Sequence, residues 1–395
     1  MVKISFHAAL HRTGHHLAVM LLFLSHEYPP YPTGGIGSYT ASMARALAAR
    51  GHGVHVLSCI AGQDVEDLED GDVSVHRRDF SSVPRRLRER VDPASLRLAT
   101  AAACRRESAA LGVGFDVIES PDYLAPGLAL LHGRTPVAAY AHSPGRMTTK
   151  ASAADLLERE VLRRAPMVRC PSRLLADHLV ARRWVKPSRM HVMEPPIELD
   201  VWTPTEIPPG PPMVLMAGRF DPVKAPEVAL QAAAVLKGHV PDVLFRFVGK
   251  PLGRKYGRRY GDWLWAFAEA LGVPFEVVPD SPRWEMPAQY AAASVVVLPS
   301  AVDNLPMVAL EALACGRAVV GTDNSGLAEL IPGTGAGEIV PTGDAPALAR
   351  AVLPFVTDRE HAARAGQRGR ALVEERFDPD RVAASVERLY ENLAA

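Results

Sequence analysis

Short apolar runs alternate with stretches of helical period along nearly the whole chain. In the first half the apolar runs fall at 19–25, 53–58, 73–76, 115–120 ("FDVIES"), 136–143 ("PVAAYAHS"), 167–170 and 190–194, with helical patterns at about 37–50, 93–111, 152–165 and 172–183 between them. Strands that are apolar throughout and separated by helix-length segments predict parallel sheets joined by crossover helices. The alternation stops at "EPPIELDVWTPTEIPPGPP" (194–212), where seven prolines forbid continuous helix or an interior strand. It then restarts, with strands at 213–218, 243–249, 274–278, 294–299 and 317–322. Helices are predicted at about 226–237, 261–271, 285–293, 306–315 and 344–356, and two more at about 359–376 and 379–394 close the chain. The reading is α/β: two Rossmann-like domains, 19–200 and 201–377, whose parallel sheets face a central cleft. Ligands are expected at the carboxyl ends of the strands and a hinge at the proline linker.

Composition narrows the function without choosing it. With 395 residues, two cores are expected. Apolar residues make up 48%, charged residues 22%, and 44 basic side chains balance 44 acidic ones, so nucleic acid is excluded as a partner for want of a net basic face. Cys59, Cys104, Cys170 and Cys315 stand singly, which suggests neither a disulfide framework nor a zinc site and fits a reducing cytosol. The run "LAVMLLFLS" (17–25) is too short for a membrane span. A phosphate-type loop follows it instead of a cleavage site, so it reads as the first core strand. Residues 1–18, with His7, His11, His15 and His16, read as an N-terminal extension and not as a metal site. Arginine in excess over lysine and abundant alanine hint at a GC-rich bacterial gene.

Three stretches carry chemistry. The loop "PTGGIGSY" sets glycines before a helix, yet it fails as a dinucleotide fingerprint: Gly35 and Gly37 are followed by Thr40 where a third small residue is needed, and "VHVLS" ends without a ribose-binding acid. What remains is a helix amino terminus able to face an anion, or an ordinary turn. In "VLMAGRFDPVKAPEVAL" (214–230), Arg219 and Lys224 flank a short loop before Pro226, which suits a first helical turn. Two cations and free helix amides there suit a diphosphate, though a solvated surface pair has the same letters. In "PSAVDNLPMVALEALACGRAVVGTD" (299–323), Glu311 is the only charge on an apolar helix, and a buried carboxylate needs donors. A ribose diol supplies two; a neighbouring arginine would also serve, and Asp303 could be a cap. The basic and aromatic stretch "GRKYGRRYGDWLWAF" (253–267) and "RRLRER" (85–90) read as solvated segments.

Together, "GGIGSY", "AGRFDPVKAPEVAL", "YAAASVVVLPSAVDNLPMVALEALACGRAVVGTDNSGLAELI" and "GEIVPTGDAPALARAV" resemble the retaining nucleotide-sugar glycosyltransferases of family four, which have the GT-B fold. The resemblance runs from about 19 to 394. It implies a donor held by the second domain, an acceptor mostly against the first, and a final helix (378–395) crossing back to the first. Residue by residue, it implies that Arg219 and Lys224 bind the diphosphate, Glu311 holds the ribose, and Asp303, where the family usually has glutamate, contacts the transferred sugar. The main chain of Leu305, Met307 and Val308 would meet sugar and phosphate, Gly35 with Gly37 would approach the distal phosphate, and His142 would stand beside the anomeric centre. Ala225 after Lys224 and Ser294 before its strand also depart from the family pattern, which more often has glycine and aspartate there.

The expected activity is transfer from a UDP or GDP sugar to a hydroxyl or amine acceptor, by a front-face route, in bacterial specialised-metabolite or cell-envelope glycan synthesis. No covalent nucleophile is evident opposite the donor. Neither metal nor cofactor is expected beyond the donor itself, and localisation is expected to be cytoplasmic. The acceptor is open among a small molecule, a glycan and a lipid-linked compound, the last with peripheral membrane contact. Rival readings are a pseudo-glycosyltransferase coupling a nucleotide-activated cyclitol, a noncatalytic nucleotide-sugar binder, and an epimerase of the same architecture. Base recognition is expected near 277–280, through main-chain groups.

Overall fold

A computed structural model describes residues 18–30, 34–59, 64–79, 92–142, 152–279 and 281–395. The amino-terminal histidines, the arginine run at 85–90 and Asp280 lie outside the described residues.

In the first half the order is β1 (Met20–Ser25), α1 (Gly35–Ala49), β2 (Gly53–Cys59), β3 (Glu66–Asp70), β4 (Val73–Arg78), α2 (Pro93–Ala110), β5 (Val117–Pro121), β6 (Val137–Tyr140), α3 (Ala153–Arg164), β7 (Met167–Cys170), α4 (Arg173–Ala181) and β8 (Met190–Val192). The second half runs β9 (Met213–Ala217), α5 (Pro226–Lys237), β10 (Leu244–Val248), β11 (Arg254–Lys255), β12 (Arg258–Arg259), α6 (Tyr260–Ala270), β13 (Glu276–Val278), α7 (Met286–Ala292), β14 (Val295–Leu298), α8 (Met307–Ala314), β15 (Ala318–Thr322), α9 (Leu327–Leu330), β16 (Gly337–Val340), α10 (Ala345–Thr357), α11 (Arg359–Arg376) and α12 (Pro379–Ala394).

The first sheet is ordered β3-β4-β2-β1-β5-β6-β7-β8 and the second β13-β10-β9-β14-β15-β16. All pairings in both are parallel except the edge pair β3–β4. In each sheet the order reverses beside the first strand of its half, between β1 and β5 and between β9 and β14. Those reversals leave crevices at the strands' carboxyl ends.

Strand alternation divides each apolar run between two cores. Val214, Met216, Val295 and Val297 face one layer of helices, and Leu215, Ala217, Val296 and Leu298 face the other. A sheet covered on both faces needs such continuous apolar strands. Side-chain caps set where many helices begin: Asp92, Ser172, Asp344, Asp358 and Asp378 each accept a first-turn N–H, and Ser152 with Asp155 forms a reciprocal capping box. Val382, Ala383, Val386 and Tyr390 of α12 belong to the core built on β1, β2 and α1. That helix is further tied to the first half by Arg50, which meets Asp380 (2.5 Å) and Glu387 (2.7 Å), and by His52 on Glu387 (2.9 Å).

Four pieces escape the apolar pattern. β3 is the acidic edge strand "EDLED", β11 and β12 form a two-residue hairpin inside the basic and aromatic stretch, α9 has one turn, and β16 is the short "GEIV".

One contact fixes the floor of the second crevice. Gly249, at the end of β10, has φ +137°, and a Cβ there would stand 1.9 Å from the carbonyl oxygen of Gly218. Gly253, φ +84°, has nothing within 4 Å of such an atom. Gly249→Ala should therefore lower stability by more than the ~1–2 kcal/mol that a left-handed alanine costs, whereas Gly253→Ala should cost only about that. Urea unfolding of both variants measures the difference.

Candidate functional site

The second crevice is built from two loops stitched together. After β9, Phe220 is fully buried and its N–H donates to the Lys250 carbonyl (2.8 Å), which anchors the loop to β10. Asp221 Oδ1 accepts the N–H groups of Val223 and Lys224, both at 3.0 Å. Ala225 takes the left-handed conformation (φ 47°, ψ 50°) just before Pro226 opens α5. A glycine would adopt that turn without strain; here alanine holds it, its N–H bonded to the Asp221 carbonyl (3.1 Å) and its carbonyl to the Val228 N–H (3.0 Å). After β14, the Ala301 N–H donates to the Val223 carbonyl (2.7 Å), so the two loops move as one.

Lys224 and Asp303 meet at this seam. The Lys224 ammonium pairs with the Asp303 carboxylate, which also accepts the Ser300 hydroxyl (3.2 Å) and the Asn304 N–H (3.0 Å). Asp303 is thus a charge partner and not a helix cap, since the residue before α8 is Pro306 and no side chain caps that helix. Arg219 is largely exposed at the rim, 3.4 Å from Asp221. Leu305, Met307 and Val308 form the entry and first turn of α8; the Ala309 N–H already bonds the Pro306 carbonyl (2.9 Å), which leaves those of Met307 and Val308 at the head of the helix without an acceptor inside it.

Glu311 is buried one turn further along. Its Oε2 accepts the Tyr290 hydroxyl at 2.8 Å, and no arginine forms an ion pair with it among the described residues. Burial pushes its carboxyl above the ordinary range, and the Tyr290 hydrogen bond and the Arg283 guanidinium oppose that.

On the first half, Gly35 opens α1 opposite α8: a Cβ on it would stand 3.7 Å from Met307 Cγ. The N–H groups of Gly34 (2.7 Å) and Gly37 (3.2 Å) donate to the carboxylate of Glu27, so the Gly37 amide is already engaged within the chain. His142 follows β6. Its N–H donates to Asp122 Oδ1 (3.0 Å), and its ring lies against Tyr140 (4.4 Å between centroids) and Tyr39 (5.1 Å). Burial, then His26 and Arg169, drive its pKa down to about 3, so the ring is neutral near pH 7. Beneath it, Arg169 and Glu119 form a fully buried ion pair to which the hydroxyls of Tyr39 and Tyr390 bond.

Glu27, His26 and Asp122 carry no motif and escape a reading by letters; Asn304 and Tyr290 stand inside the long block quoted above, yet as neutral side chains nothing there singles them out. The position of His26, Glu27 and Asp122 just past β1 and β5 is the signal that would find them, because that is where the strand order reverses. A cavity opens between the first turn of α4, the end of α11 and α9. Its volume is about 380 Å³, Arg173, Glu194, Glu329, Arg376 and Arg381 line it, and of the candidate residues it touches only Leu305.

Residues 33–201 match the family described as Glycosyltransferase Family 4, and 203–372 match Glycosyl transferases group 1. The chain belongs to the family four glycosyltransferases. It is similar to a D-inositol 3-phosphate glycosyltransferase of Salinispora tropica, 28% identical over 372 residues that span 85% of this chain and 77% of the relative. A protein of the same name from Mycobacterium sp. strain KMS is 34% identical over 181 residues, 43% of this chain and 40% of that one. Among solved structures, sucrose-phosphate synthase of Thermosynechococcus elongatus has a TM-score of 0.78 at 22% identity, covering 95% of this chain and 99% of that chain. Anabaena HepE in complex with UDP and glucose has a TM-score of 0.72 at 17% identity, covering 94% and 99%. This likeness is one of fold: the glycosyltransferase has the GT-B architecture, two Rossmann-like sheets facing a cleft. No helix among its described residues is long and apolar enough to cross a membrane.

The depressed pKa of His142 has a testable sign. Unfolded, the ring titrates near 6.5; folded, it resists protonation down to about 3. Its contribution to stability is present above pH 6.5 and is lost progressively as pH falls toward 3. His142→Gln should flatten the fall in thermal midpoint across that window relative to the parent. Parallel curves would show that the ring is not held neutral.

Proposed function

We propose that this glycosyltransferase moves a sugar from a nucleoside diphosphate sugar to a hydroxyl or amine acceptor with retention of anomeric configuration. In this reading the acceptor rests on a first domain (19–200 with the final helix, 378–395) and the donor on a second (201–377). The observation that supports it is the seam at β9 and β14: the loops after these strands carry Arg219, Lys224 and Asp303, and α8, which follows the second loop without a side-chain cap, carries the buried Glu311.

Each group has a task there. Arg219 and Lys224 would balance the charge that grows on the departing diphosphate, the point where preorganised charge contributes most. Glu311 would accept the ribose hydroxyls: Tyr290 occupies Oε2, and no donor among the described residues reaches Oε1. Asp303 would hold Lys224 until the diphosphate competes for it, then turn to the sugar hydroxyls. The bond from the anomeric carbon to the phosphate oxygen breaks, the acceptor oxygen bonds to the same face, and a phosphate oxygen takes the acceptor's proton. A neutral His142 would orient the sugar without adding positive charge beside an oxocarbenium-like centre. No metal enters this scheme.

The bacterial relatives support a place in bacterial glycan or specialised-metabolite synthesis, and their names add a phosphorylated cyclitol to the acceptors worth assaying. A binder without turnover is the reading that a Lys224-bound Asp303 favours. It expects donor binding with no product from any acceptor.

A thermal-shift panel of UDP, GDP, ADP and their glucose conjugates tests the donor. A true ligand at 100 times its dissociation constant adds about 2.7 kcal/mol of stability, and no shift with any nucleotide would overturn the reading. Lys224→Ala should abolish most transfer. It also strands the buried Asp303, at a cost of about 1–3 kcal/mol that Asp303→Asn in the same chain should largely restore. Full activity in Lys224→Ala would remove the diphosphate role.

A further inference from the structure

The donor loop touches the first sheet through one side chain that no motif singles out. Asn304, 4% exposed, donates from Nδ2 to the carbonyl of Ala141 (3.3 Å) and accepts the Ser172 hydroxyl on Oδ1 (2.5 Å). Its main chain is equally engaged: the N–H goes to Asp303 and the carbonyl accepts the Gly326 N–H (2.5 Å). Ala141 immediately precedes His142, and Ser172 is the capping residue of α4. Asn304 therefore sits one residue from Asp303 on one side of the crevice and one residue from His142 on the other.

The surroundings are shaped for this contact. A Cβ on Gly326 would stand 2.4 Å from the Asn304 carbonyl oxygen and 3.0 Å from Ser172 Cβ, so the approach of the two halves needs a glycine there. Glu329 of α9 reaches over to accept the N–H groups of Arg173 (2.9 Å) and Leu174 (2.6 Å). The first turn of α4 is thus satisfied largely by side chains of the second half, a favourable place for a carboxylate. Asn304 and Glu329 reach the first half through hydrogen bonds alone. When the halves part, the Asn304 amide and the α4 amides lose their partners together, and that makes the contact sensitive to closure.

We propose that Asn304 is a positioning residue. By bonding Ala141 and Ser172 it sets the register of the donor loop against His142 when the cleft closes, and Glu329 secures the same register from α4. This rests on the nucleotide-sugar reading, because only there does the distance between Asp303 and His142 decide whether donor and acceptor align.

The test compares Asn304→Ala, Ser172→Ala and the double variant in the full chain. Transfer and donor affinity are measured with UDP-glucose, GDP-glucose and ADP-glucose in parallel, and small-angle scattering is recorded without ligand. Misplacing reacting groups should lower kcat about 10- to 100-fold in each single variant, while the donor dissociation constant stays within about two-fold. The double variant should turn over no more slowly than Asn304→Ala, because the bond across the seam that Ser172→Ala removes is already lost there, and the other bond of that hydroxyl, the cap on the Leu175 N–H, lies within the first half. Each variant should also show a larger radius of gyration than the parent. Additive losses, or a donor affinity that falls as much as turnover, overturn the proposal. If the parent binds none of the three donors, the functional reading fails and scattering decides the latch alone: expansion in both single variants sustains it, and unchanged profiles overturn it. Should Asn304→Ala not fold, Ser172→Ala, which removes the bond to Asn304 together with the cap of α4, carries the same comparisons.

Discussion

A single linker carboxylate, Glu198, is gripped from both sides of the molecule. Arg45 on α1 and Arg283, just before α7, each pair with it, and Arg45 also meets Asp70 at 2.7 Å. Arg283 lies over the ring of the fully buried Trp202 (5.1 Å), which limits how far its guanidinium can swing. Pairs this sheltered are screened less than surface bridges, whose worth is small. Glu198 thereby ties α1 of the first half to the turn before α7 of the second. The row of charges continues inward, since Arg283 favours the ionised form of Glu311 and Glu198 opposes it. The link between the halves and the electrostatics of the expected ribose acid thus share an arginine.

Around that tie, the repeated strand order aims the loops. Each sheet reverses beside its first strand, and each reversal points its loops into the same cleft. One side brings α1 and His142, the other Lys224, Asp303 and α8. The two contributions differ in character. The second half presents charge, held in check by an internal pair, and the first presents a neutral imidazole wedged among tyrosines above the Glu119–Arg169 pair. Desolvation would make such a buried pair costly in isolation, and the hydroxyls of Tyr39 and Tyr390 offset part of that.

Much of the architecture was legible because buried parallel strands must be apolar on both faces. Runs such as "VVVL" of β14 and the proline linker needed no other clue. β3 was not, since an acidic edge strand with exposed positions lacks both the apolar run and the alternation, and β16 is too short, with a leading glycine. The site divides the same way. Lys224, Asp303 and Glu311 stand out as charges on loops or helices where charge is unexpected. Their partners do not, because pairing across 79 residues, as Lys224 pairs with Asp303, depends on the crossover that brings β14 beside β9. Glu27 illustrates the limit most sharply: the glycines read as an anion cradle, and the letters gave no sign that a neighbouring carboxylate already lies in part of it.

The return of α12 to the opening sheet has a consequence for biogenesis. Tyr390 and its neighbours complete a hydrophobic layer whose remaining members were synthesised some hundreds of residues earlier, with an entire second sheet made in between. Emerging from the ribosome, the leading half would wait with an uncovered apolar face and a half-satisfied Arg169 until the last helix arrived. Nascent chains in that interval are natural clients for chaperones, and a stop codon placed shortly before residue 379 would be expected to leave the leading half unfinished even though the cores of the trailing one end at Phe377.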